Sequence, residues 1–132
     1  MILDLVAYGA FFLTMALTYG IICLGLNVQW GQTGLFNVGV AGFVAIGAYA
    51  SALLTTPHAD GRLGGFDLPI AVGWLGAIAA AALVSLLVGA LTIRLRADYL
   101  AIATFGVAVT VQLAALNLQA LTGGPFGIGF IP

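Results

Sequence analysis

The sequence predicts an all-α membrane protein with about four transmembrane helices and a glycine-rich broken segment between the first and the second. Three observations carry that expectation. Of 132 residues, 63% are apolar. Only 5% are charged, against roughly 25% in soluble domains. The three arginines and four aspartates fall between long uncharged runs, and the chain has neither lysine nor glutamate. A water-soluble fold cannot cover its surface with so few charges.

A helix needs about 20 apolar residues to cross the hydrocarbon core. After Asp4, residues 5–26 supply 22, or about 33 Å at about 1.5 Å per residue. Residues 27–39 follow with four amides (Asn27, Gln29, Gln32, Asn37) and three glycines, a composition that breaks the first helix. The next apolar run, 40–54, is short for a full span, so its helix is expected to begin near Leu35. Residues 55–67 hold Pro57, His58, three charges and three glycines and read as a solvent loop. Residues 68–93 form a third run of 26 uncharged residues. Residues 94–98 make a short polar turn, and 99–121 a fourth run. The expected spans are therefore about 5–27, 35–55, 68–93 and 99–121. The tail, 122–132, is rich in Gly and Pro and adds no further helix. A membrane β-barrel would need short alternating segments, whereas these runs are continuously apolar.

Orientation follows from Arg94 and Arg96, which share one short loop that the positive-inside tendency places in the cytoplasm. Alternation then puts the loop containing Arg62 and the N-terminus outside, and the 27–39 turn inside. Asp98 lies four residues after Arg94, a spacing that pairs the two if the turn is helical. A cleavable signal peptide is excluded, because the first charge is acidic and the uncharged stretch is too long.

Lipid supplies little hydrophobic drive for helix association, so small residues that let backbones approach must do so. Gly73, Ala77, Ala81, Ser85 and Gly89 repeat at four-residue spacing and are the candidate helix-packing stripe. Gly47, Ser51 and Thr55 form a shorter one on the second helix, and Gly106, Thr110 and Ala114 another on the fourth. That fourth helix is also the most polar, with Thr104, Thr110, Gln112, Asn117 and Gln119. Such side chains either bond between helices or line a path. Trp30, Trp74 and Tyr99 sit near the expected ends and suit interfacial anchoring.

Most chemistry is excluded. The net charge of −1 leaves no basic patch for nucleic acid. Without lysine there is neither a phosphate-binding loop nor Schiff-base chemistry. His58 with Asp60 offers too few donors for a metal. Cys23 reads as a small hydrophobe in an apolar run. No charged pair lies inside a span, which disfavours proton-coupled transport and intramembrane hydrolysis. Neither catalytic, cofactor-binding nor metal-ligating residues are expected, so the chain is not read as an enzyme. If it transports anything, another subunit must supply the energy.

Leu24, Gly25, Leu26, Asn27, then Gly31, Gly34, Gly39, then Gly47, Ala48, Tyr49 stand in a distinctive order. Arg94, Leu95, Arg96, Ala97, Asp98, Tyr99, Leu100, Ala101, Ile102 follow, with Thr104 and Gly106, and finally Thr122, Gly123, Gly124, Pro125. In this combination the chain resembles the N-terminal part of the branched-chain amino acid ABC transporter permeases, bacterial inner-membrane subunits of the Liv type. The resemblance implies a multi-pass subunit in the bacterial inner membrane. A periplasmic binding protein would deliver the amino acid, a second permease subunit would complete the path, and two cytoplasmic ATPase subunits would use ATP. Asn27, Gln29, Gln32 and Asn37 are then candidates for the translocation path or its inner mouth, the alternative being an ordinary cytoplasmic turn. Arg94, Arg96 and Asp98 would form a cytoplasmic loop.

Departures from the family pattern are limited. Family members often carry Gly at the position of Ala97 and His at that of Val40. Many have a Glu and an Arg at the positions of Val109 and Gln112; both are absent together here, so no single charge is left unpaired in lipid. Family permeases are expected to be roughly twice as long, with the ATPase-docking loop in their later half, so the chain reads as a partial permease domain, a fragment or a truncated frame. Two alternatives stay open: a related ABC permease for urea, amides or sugars, and a truncated non-transporting membrane scaffold.

Overall fold

A computed structural model describes residues 1–129 and 131–132; their regular structure is helical, with no strand among them. They form two compact units, Met1–Asn37 and Val38–Pro132.

The first unit is dominated by α1, Ile2–Leu26. The helix does not stop at the amide-rich segment as expected. It continues as a π-helical turn, Asn27–Gln32, giving one helical stretch of 31 residues. The polar residues widen the hydrogen-bond ladder instead of ending it. What ends it is Gly34, whose φ of 71° only glycine adopts freely. Its N–H donates to the Trp30 carbonyl (3.0 Å) and the Leu35 N–H to the Gln29 carbonyl (3.2 Å), so the last carbonyls of the stretch are satisfied.

The second unit contains α2 (Val40–Thr55), α3 (Ile70–Thr92), α4 (Ala97–Asn117) and the short α5 (Gln119–Thr122). α2 starts at Val40, not near Leu35. The Val38 N–H is taken by the Thr104 hydroxyl (3.1 Å) and is lost to the helical ladder, while Gly39 accepts from Gly42 N–H at 2.9 Å and opens the helix. The segment after α2 folds back over its C-terminal end. Gly65 N–H donates to the Leu53 carbonyl (2.9 Å) and Leu68 N–H to that of Leu54 (3.0 Å), supplying partners for carbonyls that a helix end leaves open. The expected solvent loop is therefore partly interior: Thr55, Thr56 and Gly65 are buried.

Arg94 and Asp98 do not pair. Arg96 is extended (ψ 155°) ahead of α4, so their four-residue spacing is not a helical one. Among the described residues the ion pair is that of the Met1 amino group with Asp4, at 2.8 Å. The fourth run also breaks earlier than expected. Leu118 leaves the helical region (φ −82°, ψ 62°), the Thr122 hydroxyl donates to the Ala115 and Leu118 carbonyls, and Gly123 (φ 75°) turns the chain into a single 3-10 turn, Gly124–Phe126.

Ile2–Gln32, Ile70–Thr92 and Ala97–Asn117 are long and apolar enough to cross a membrane, while α2 is a shorter apolar helix of 16 residues. Their large side chains face outward: Phe12, Leu75, Leu86 and Ile102 are each more than 60% exposed. Apolar surface on this scale is the outside of a protein whose solvent is lipid.

Candidate functional site

Around α2 the small residues do the work of packing. Gly47 lies over Ala77 and Ala81, with a Cβ at that position 3.7–3.9 Å from them. One turn along, Gly73 is buried beneath Ser51 and Thr55. The two helices run antiparallel, and each offers a small residue every four positions, so their backbones meet without bulky side chains between them. On its other side α2 crosses α4 at Gly42, where a Cβ would stand 3.0 Å from the Ala108 Cα.

Of the packing stripe read from the sequence, Gly73, Ala77 and Ala81 thus meet α2. Ser85 is exposed, its hydroxyl bonded to the Ala82 carbonyl (2.9 Å), and a Cβ on Gly89 would meet nothing. The Gly106, Thr110, Ala114 row does not pack within this chain: all three are exposed, and Thr110 returns its hydroxyl to the Gly106 carbonyl (2.8 Å). The face of α4 that packs instead carries Leu100 and Thr104, 6% and 2% exposed. Thr104 stood among the polar residues of that helix, but nothing in its spacing distinguished it from Thr110. Gly42, Gly76 and Thr56 were missed. Gly76 lies three residues past Gly73, under Leu54. Thr56 is fully buried, with Arg62 donating to it at 3.3 Å.

The candidate path residues lie in the Met1–Asn37 unit. Asn27, Gln29 and Gln32 belong to the π-helical turn. π-Turns inside α-helices are rare and frequent at functional sites. The Asn27 side chain folds over Gly31, whose missing Cβ leaves room for it. The Gln29 carbonyl accepts from both the Leu35 N–H and the Thr33 hydroxyl. Asn37 stands apart, five residues beyond the turn. An open concavity beside the turn is lined by Cys23, Leu26, Asn27, Trp30 and Gly31, with Trp30 tilted at 54° against Phe36, ring centroids 4.6 Å apart. The segment offers neutral donors and acceptors: carboxamides, a hydroxyl, the Trp30 indole N–H and backbone carbonyls. Among the described residues no group of three His, Cys, Asp or Glu side chains is placed to hold a metal. Arg94, Arg96 and Asp98 are all exposed at the turn between α3 and α4.

Helices this apolar, with ionisable groups confined to their ends, define a membrane protein. The model of the family described as branched-chain amino acid transport system / permease component matches residues 9–132, and the chain belongs to that family. It is 47% identical over 119 residues to the high-affinity branched-chain amino acid transport system permease protein LivM of Escherichia coli (strain K12). Identity to the protein of the same description from Salmonella typhimurium (strain LT2) is 46% over the same length. In each case the match covers 90% of this chain and 26% of the relative. The chain thus spans about a quarter of these relatives' length, less than the half expected from the family resemblance. No solved structure matches the chain.

Proposed function

We propose that this chain is part of the transmembrane permease subunit of an ABC importer for branched-chain amino acids, multi-pass in the bacterial inner membrane. The observation that carries this reading is the 47% identity to a branched-chain amino acid permease along nine-tenths of the chain. The membrane-length helices agree with it. Energy would come from two cytoplasmic ATPase subunits, substrate from a periplasmic binding protein, and the rest of the path from a second permease subunit. The chain itself catalyses no reaction. Arg94, Arg96 and Asp98 face the cytoplasm in this orientation, and the Arg62 loop faces the periplasm.

Asn27, Gln29, Gln32 and Asn37 are assigned to the path or its inner mouth. Neutral carboxamides can accept from an ammonium and donate to a carboxylate without trapping either ion. Irregular backbone is tolerated in a membrane where it is buried in protein or faces water, which suits the turn from Gln32 to Gly39. The test is whole-cell uptake of radiolabelled leucine, isoleucine and valine after deletion of the coding region. Energised uptake is expected to fall and to return on re-expression. Unchanged uptake of all three overturns the reading, and loss of uptake of urea or a sugar instead reassigns the substrate.

A further inference from the structure

α2 does not begin where α4 begins. Two contacts set their registers: Val38 N–H on the Thr104 hydroxyl at 3.1 Å, and Gly42 against Ala108 at 3.0 Å from a Cβ to the Cα. Each helix advances four residues between them, so the two run side by side in the same direction. Thr104 lies seven residues past Ala97, the first residue of α4, which is about 10 Å along the axis at about 1.5 Å per residue. At the far end α2 outruns α4 by about four residues, and the Leu63 N–H, in the loop after α2, donates to the Ala120 carbonyl at 2.6 Å. Val40, where α2 begins, is then level with Gly106, about 13 Å along α4, so with α4 spanning a core of about 30 Å α2 starts more than a third of the way across it.

The start is held by one side chain. The Thr104 hydroxyl donates to its own helix, at the Leu100 carbonyl (2.9 Å) or the Ala101 carbonyl (3.1 Å). That leaves its lone pair aimed at the Val38 N–H. At 2% exposure no water replaces it. An amide without a partner is not tolerated at this depth, so the hydroxyl and the position of the helix start are coupled. We propose that Thr104 is a positioning residue of the permease. Acting through the Val38 amide, it fixes the depth at which Val38 and Gly39 lead into α2 inside the bilayer. Placement of α2 stands on geometry alone; the consequence for transport rests on the permease reading.

The two parts are tested separately. Nitroxide labels at Ala41→Cys, Tyr99→Cys and Phe105→Cys, in the full chain in liposomes, report depth by collision with oxygen and a nickel chelate. Ala41, level with Val107 in this register, is expected within about 3 Å of the depth of Phe105 and deeper than Tyr99; equal depth with Tyr99 overturns the placement, whatever the chain transports. For the second part, leucine uptake by the assembled importer is compared at matched amounts in the membrane. Thr104→Val is expected to lower the maximal rate about tenfold, the scale of one lost buried hydrogen bond, with KM unchanged. Thr104→Ser is expected to stay within about twofold of the parent. Wild-type uptake in Thr104→Val, or equal loss in Thr104→Ser, overturns the positioning role. If Thr104→Val fails to accumulate, the serine variant and the depth of Ala41 in the unsubstituted chain still decide. Absence of uptake in the parent removes the transport consequence and leaves the depth result to judge the placement.

Discussion

Gly47 and Gly42 face close neighbours: Ala77 and Ala81 on one side of α2, the backbone of Ala108 on the other. A Cβ on Gly42 would crowd the Ala108 backbone at 3.0 Å, whereas one on Gly47 would make ordinary contact at 3.7–3.9 Å. Gly42→Val is expected to destabilise the helical unit by about 1–3 kcal/mol, the usual cost of overpacking, read as a lower midpoint in detergent denaturation. Gly106→Val places the same side chain at an open position, and its midpoint is expected to match the parent. Cysteines at Asn27 and Asn37 are expected to react with water-soluble thiol reagents at rates that change with substrate or ATP. Labelling indifferent to both would make this segment an ordinary turn.

At the scale of elements, the α2–α3 pair is an antiparallel contact built on Gly47, Ser51 and Thr55 against Gly73, Ala77 and Ala81. The sequence displays both rows, because four-residue spacing of small side chains is visible without coordinates. It does not show where a row stops mattering. Ser85 and Gly89 continue the period of α3 beyond the turns that α2 covers. Ala81→Leu is therefore expected to loosen the pair, while Ser85→Leu is expected to leave it intact; trypsin resistance of the detergent-solubilised chain separates them. If Ser85→Leu alone breaks the assembled complex, the outer half of the stripe is an interface with a partner. Element ends were less legible than element existence. The break at Leu118 goes with the Thr122 hydroxyl bonding back to the end of α4, and the delayed start of α2 with the Thr104 hydroxyl reaching across to Val38; one threonine in an apolar run looks like another.

For the whole molecule, apolar side chains outward and small residues inward is the arrangement expected in lipid, where tight packing replaces the hydrophobic effect between helices. Removal of detergent is expected to precipitate the purified chain, checked by sedimentation; a soluble monomer would contradict the membrane assignment. Replacing Arg94 and Arg96 with Ala is expected to weaken the orientation of the α3–α4 turn, read with topology reporters fused at that turn. Class, helix number and family were determined by the sequence alone, since each rests on the length of apolar runs, the placement of seven charges and the order of a few motifs. Tertiary structure alone decided the length of α2, the continuation of α1 into a π-turn and the choice of Thr104 over Thr110 as the buried hydroxyl. Hydropathy reports only how well each residue tolerates lipid; which donor meets which acceptor depends on how the helices are set against one another.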